Sequence, residues 1–151
     1  MTPPIIYAES SAVIAWLSGE PGAEGVESVL TAANGIVTSD VTIVECERAL
    51  IRAWALHLIS EVDRVDRTGL LSRAAENWTH LHVDEQTIER ARRPFPVEPV
   101  RAIDALHLAS ALTARAVAPN LALLTLDQRI RENAERLGFD VLPATVYRES
   151  S

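Results

Sequence analysis

Four acids stand where carboxylates are least at home in a globular chain: Glu9, Glu45, Asp104 and Asp127. Glu9 follows the apolar run Ile5-Ile6-Tyr7-Ala8, and Asp127 closes the run Leu121-Ala-Leu-Leu-Thr-Leu126. Glu45 and Asp104 fall in the first turns of largely apolar helical segments. Carboxylates avoid such places unless they are paired or hold a metal. Gathered by folding, four of them would repel one another, and a hard divalent cation placed among them removes that repulsion. A cation so held acidifies bound water and offsets phosphate charge, so the set points to metal-dependent phosphodiester chemistry.

Each acid taken alone has a plainer role. Glu9 and Asp127 suit the positive end of a helix, Asp127 as an N-cap. Glu45 could pair with Arg48 or with the start of its own helix, and Asp104 with Arg101, three residues back on the same helical side. The joint placement, on two strand ends and two helix starts, is what argues for one shared cleft.

The elements that must position these acids can be read in order. Residues 5–7 form a strand, Ser10 or Ser11 caps a helix carrying Val13, Ile14, Trp16 and Leu17, and residues 19–22 break it. A helix over 24–33 and the Asn34-Gly35 turn lead to a strand over 36–38. Asp40 or Thr42 then caps a long helix reaching about Leu58, and residues 60–78 are again helical around Gly69. A short strand over 81–83 precedes a helix from the Asp84 cap to Arg93, and Pro94, Pro96 and Pro99 form a stiff connector. The remaining elements are a helix over 101–116, a strand over 121–125, a helix from Asp127 to Leu137 ended by Gly138, and a strand over 140–142. Strands alternating with helices predict an α/β fold with a mainly parallel sheet covered on both faces. Such sheets bind ligands beyond the carboxyl ends of their strands, where Glu9 and Asp127 lie.

Composition narrows the function classes. The 151 residues suit one domain over 1–151, and no apolar run is long enough to cross a bilayer, so the expected location is cytoplasmic, with no membrane partner. Cys46 is the only cysteine, which excludes an internal disulfide and a cysteine-rich zinc site, and it reads as a small buried helix residue. A net charge of -7 argues against nonspecific coating of nucleic acid, yet leaves room for a nuclease whose acids are offset by metal. All 14 basic residues are arginine, so any cationic phosphate contact comes from a guanidinium. Arg90, Arg92, Arg93, Arg129 and Arg131 are candidates for holding an RNA backbone, against a plain solvated face. His80 and His82 would share a strand face without further zinc ligands, and His107 reads as a buried, hydrogen-bonded histidine.

At this point the chain resembles a known family. Tyr7-Ala-Glu9-Ser-Ser-Ala, Thr42-Ile-Val-Glu45-Cys-Glu-Arg-Ala-Leu, Arg101-Ala-Ile-Asp104-Ala-Leu-His-Leu-Ala and Leu124-Thr-Leu-Asp127 look like the four acidic motifs of PIN-domain ribonucleases. The similarity is greatest to the VapC toxins of type II toxin–antitoxin pairs. It implies a three-layer α/β/α fold, a Mg²⁺ or Mn²⁺ site, RNA as substrate and a small cognate antitoxin. Carried onto this chain, Glu9 and Asp104 would bind the main ion, Asp127 that ion or a second one, and Glu45 would position water or the second metal. The family normally has aspartate at the first position. Glu9, one methylene longer, leaves open the alternative of a catalytically weakened or inactive PIN-like module that acts by binding RNA or protein. The apolar surface of residues 42–78, with Trp54, Leu70, Leu71 and Trp78, is expected to serve a homodimer or an antitoxin helix.

Overall fold

A computed structural model describes residues 2–144, so the expected domain limits of 1 and 151 lie just outside the described residues. Five strands, β1 (Ile5–Ala8), β2 (Gly35–Ser39), β3 (Thr79–Leu81), β4 (Ala122–Leu124) and β5 (Val141–Leu142), form one sheet in the order β3-β2-β1-β4-β5. Every neighbouring pair is parallel. Seven helices accompany them among the described residues: α1 (Ser10–Ser18), α2 (Ala23–Ala32), α3 (Asp40–Ala55), α4 (Glu61–Ala75), α5 (Glu85–Ala91), α6 (Ala102–Val117) and α7 (Gln128–Arg136).

Strand alternation divides the interior in two. Ile6, Ala8, Ala122 and Leu124 face one core with Val13, Val26, Leu50 and Leu71 of α1 to α4. Tyr7 and Leu123 face the other, with Leu108 and Ala111 of α6, Ile130 of α7, and Phe95. Residues two apart on a strand share a face, so each short apolar run supplies both layers of helices. The result is the expected three-layer α/β/α arrangement. From β1 the chain moves outward to β2 and β3, then returns to the other side of β1 for β4 and β5. The order therefore reverses between β1 and β4, the crevice where open parallel sheets hold ligands.

Several boundaries differ from the sequence reading. β3 lies two residues earlier than expected because it pairs with β2, Val37 with Thr79 and Ser39 with Leu81, and β2 ends at Ser39. His82 therefore lies beyond the strand and meets Asp40, while His80 bonds the Ala75 carbonyl, so the two rings do not form a pair on one strand face. The long helix stops at Ala55, short of Leu58, and His57 follows with a left-handed backbone, φ 59°. The next begins at Glu61 under a reciprocal cap between Ser60 and Asp63 and ends at Ala75, ahead of the expected Trp78. Two caps also lie earlier than expected: Ser39 caps α3 in place of Asp40 or Thr42, and Glu9 caps α1 in place of Ser10 or Ser11. The proline connector is pinned as well as stiff, because Asn133 of α7 bonds both the N–H and the carbonyl of Val97.

Candidate active site

Glu9 leaves β1 directly, and its N–H continues the ladder by donating to the Leu124 carbonyl at 3.0 Å. Its side chain is only 3% exposed. Burial of a carboxylate requires hydrogen bonds, and here there are four. Oε1 accepts from Ser10 Oγ and the Ser11 N–H at 2.8 and 3.0 Å. Oε2 accepts from Ser11 Oγ and Thr125 Oγ1. Thr125 also accepts the Asp127 N–H, so one hydroxyl joins the first acid to the fourth. The serines and the threonine are thus first of all scaffolding for carboxylates.

Asp127 caps α7 through Oδ1, which accepts from the Arg129 and Ile130 N–H groups. Asp104, buried in the first turn of α6, accepts from Arg101 Nε at 3.2 Å through Oδ2. The local roles available to these two acids are therefore real, and each uses one carboxylate oxygen. Arg101 itself is 64% exposed. Its hydrogen bond to Asp104 and that acid's charge, followed by the charges of Asp127 and Glu45, raise its pKa, which places one guanidinium among three of the four acids.

Glu45 reaches from α3 to His107 of α6 rather than to Arg48. Burial would push its carboxyl up, but the hydrogen bond from His107, helped by the nearby Ser10 hydroxyl dipole and the Arg101 guanidinium, outweighs that and holds it below the ordinary range. His107 is buried and hydrogen-bonded, as read from the sequence, yet its partners are site residues. No motif in the sequence joins Tyr7 and His107 to the acids. The available signal was spacing: Tyr7 shares a strand face with Glu9, and His107 lies one helical turn beyond Asp104.

The chain thus brings all four acids to the carboxyl end of the sheet around the β1/β4 crevice. It does not converge them on a point: among the described residues, no group of three acidic, histidine or cysteine side chains is close enough to hold one ion. The donor chemistry nevertheless fits Mg²⁺ or Mn²⁺, since all four are hard oxygen ligands and Asp104 and Asp127 each keep an oxygen clear of these hydrogen bonds. Glu9 fits least well, because both its oxygens already accept. Two other candidates drop away: Cys46 is fully buried and burial raises its thiol pKa, and Arg131 is buried and donates to the Pro143 carbonyl at 2.7 Å, whereas Arg93 is exposed in a surface pair with Glu89. A cavity of about 910 Å³ lies at the opposite end of the strands, beside Pro4, Asn34 and Leu121, and none of the four acids lines it.

Residues 6–136 match the PIN domain family model. A protein named Ribonuclease VapC35 from Mycobacterium tuberculosis is 33% identical over 140 residues, covering 91% of this chain and 96% of that protein. Ribonuclease VapC46 from the same species is 30% identical over 138 residues, covering 91% and 95%. Among solved structures, a toxin–antitoxin complex from Klebsiella pneumoniae aligns with a TM-score of 0.62 at 18% identity, covering 95% of this chain and 98% of that one. Mycobacterium tuberculosis VapC20, a toxin that cleaves the sarcin-ricin loop, aligns with a TM-score of 0.60 at 16% identity, covering 89% and 95%. At those identities the structures speak for the fold. No helix among the described residues is long and apolar enough to cross a membrane. The chain belongs to the PIN domain family, among the VapC ribonucleases.

Proposed function

We propose that this protein is a Mg²⁺- or Mn²⁺-dependent endoribonuclease that hydrolyses RNA phosphodiester bonds in the cytoplasm, as the toxin of a type II toxin–antitoxin pair. The observation that carries the reading is the gathering of Glu9, Glu45, Asp104 and Asp127 at the carboxyl end of the sheet, where the strand order reverses between β1 and β4. When bound, the ion would acidify the attacking water and offset the phosphate charge.

The chain's own groups divide the remaining work. Asp104 and Asp127 would hold the ion through the oxygens not used by Arg101 and by the α7 cap. Glu9 would complete the negative site, as a ligand once a hydroxyl partner yields and as a fixed charge otherwise. Glu45, ionised by its surroundings, would accept a hydrogen bond from the attacking water and orient it. Arg101, which holds Asp104 through Nε and is otherwise exposed, would present its terminal guanidinium nitrogens to the RNA phosphate.

Two partners go with this reading. Of the apolar residues expected to form an interface, Leu71 is buried in the core and Trp78 packs against it, whereas Trp54 and Leu70 are exposed beside Leu58, Val62 and Val65, which are 73%, 68% and 53% exposed on the α3–α4 link and the start of α4, and a second copy or an apolar antitoxin helix would cover this surface. Incubation of purified protein with a mixed RNA substrate under Mg²⁺, Mn²⁺ or EDTA tests the activity. Cleavage in either metal and none in EDTA is expected. RNA binding without metal-dependent cleavage would instead favour the silent module that the fully bonded Glu9 carboxylate permits.

A further inference from the structure

His107 occupies an unusual position for a core histidine. Its ring is 1% exposed, so it cannot touch RNA, yet both nitrogens are committed to the site. Nδ1 lies 3.0 Å from the Tyr7 hydroxyl, and Nε2 faces both the Glu45 carboxylate and Ser10 Oγ, the latter at 3.3 Å. A histidine serving only the core would more simply donate to a backbone carbonyl, as His80 does to Ala75.

The directions of these hydrogen bonds follow from the groups themselves. An ionised carboxylate only accepts, so the contact with Glu45 places a proton on Nε2. In the neutral ring Nδ1 is then an acceptor, and the buried Tyr7 hydroxyl fills it as donor. Ser10 receives a weaker share of the Nε2 proton and gives its own hydrogen to Glu9. The chain of contacts runs from β1 through α6 to α3, and by way of Ser10 back to the end of β1. It crosses the carboxyl edge of the sheet and joins helices that belong to opposite layers.

We infer that His107 is a positioning residue that, backed by Tyr7, orients and anchors the Glu45 carboxylate and through Ser10 couples it to Glu9. Two of the four acids are therefore set in place before an ion or RNA arrives. The inference rests on the ribonuclease reading for its catalytic consequence, while the hydrogen-bond arrangement stands apart from it.

Three measurements separate those layers. Long-range proton–nitrogen NMR correlations on the wild-type protein should show His107 protonated at Nε2; a proton on Nδ1 with Nε2 bare overturns the arrangement whether or not the protein cleaves RNA. In metal-dependent cleavage, His107→Leu should lower kcat by about 10- to 100-fold, the usual effect of losing an outer-shell orienting group. KM should hardly move, and His107→Gln, which keeps a donor near the Nε2 position, should recover most of the rate. Wild-type kcat in His107→Leu, or an equal loss in both variants accompanied by an equal fall in Tm, overturns the positioning role. Should His107→Leu fail to fold, Tyr7→Phe carries the test, with a severalfold loss in kcat expected and an unchanged kcat overturning the inference. Absence of cleavage by the wild-type protein in either metal would count against the ribonuclease reading, and the NMR result would still decide the contact.

Discussion

On the β1 side of the cleft, both oxygens of Glu9 accept hydrogen bonds from buried or half-buried groups and Glu45 is gripped by an imidazole from the opposite helix layer, whereas on the α6–α7 side Asp104 and Asp127 are each held through one oxygen by groups of their own helix start. The first pair is held by residues drawn from β1, α1, α6 and the end of β4. The second is held locally, Asp104 by Arg101 three residues earlier and Asp127 by its own helix start. The difference separates two needs of a metal site. Charge must be fixed in advance, which a dense buried network does, and some oxygens must remain free to receive the ion, which short local contacts permit.

The largest expected effect falls on the open half. Asp104→Asn should reduce RNA cleavage by at least about a hundredfold, more than loss of a supporting group would, while the melting temperature holds or rises because charge repulsion is relieved. Cleavage within a few fold of wild type in a direct kinetic assay would dissolve the distinction between the halves. In the closed half the balance should reverse. Glu9→Gln puts an amide donor against hydroxyl donors and should cost about 1–3 kcal/mol of stability, measured by urea unfolding. Glu9→Asp keeps the charge but draws the carboxylate back from Ser11 and Thr125; it should lose stability while keeping or increasing cleavage. A Glu9→Asp protein that loses cleavage and keeps its stability would make Glu9 a ligand first and a strut second.

Smaller effects mark the limits of both halves. Ser60→Ala removes the cap of α4, away from the acids, and should cost about 1 kcal/mol with cleavage unchanged. Leu58→Glu on the exposed α3–α4 link should alter stability by less than about 0.5 kcal/mol yet weaken self-association or antitoxin capture in sedimentation experiments. Unaltered association would remove that surface from the interface.

The sequence made local relations legible and left distant ones dark. The strand cores, the Arg101–Asp104 pair three residues apart and the Asp127 cap all follow from spacing along the chain, and each stands in the structure. The cap of α1 did not, because Glu9 is drawn into that role partly by Thr125, 116 residues away. β3 was misplaced by two residues because its end is set by pairing with β2 rather than by its own composition. His107 was legible as buried, but its partners come from β1, α1 and α3, and no periodicity within α6 names them.

Binding of the ion at the acids is the claim on which the rest depends, and thermal unfolding against added Mn²⁺ measures it without any knowledge of the RNA target. A ligand selective for the native state at a hundred times its Kd adds about 2.7 kcal/mol of stability. The wild-type protein should therefore melt at progressively higher temperature as millimolar Mn²⁺ is added, and Asp104→Asn should show little or no rise. A wild-type melting temperature indifferent to Mn²⁺, or an equal rise in Asp104→Asn, would contradict a metal site built from these four acids.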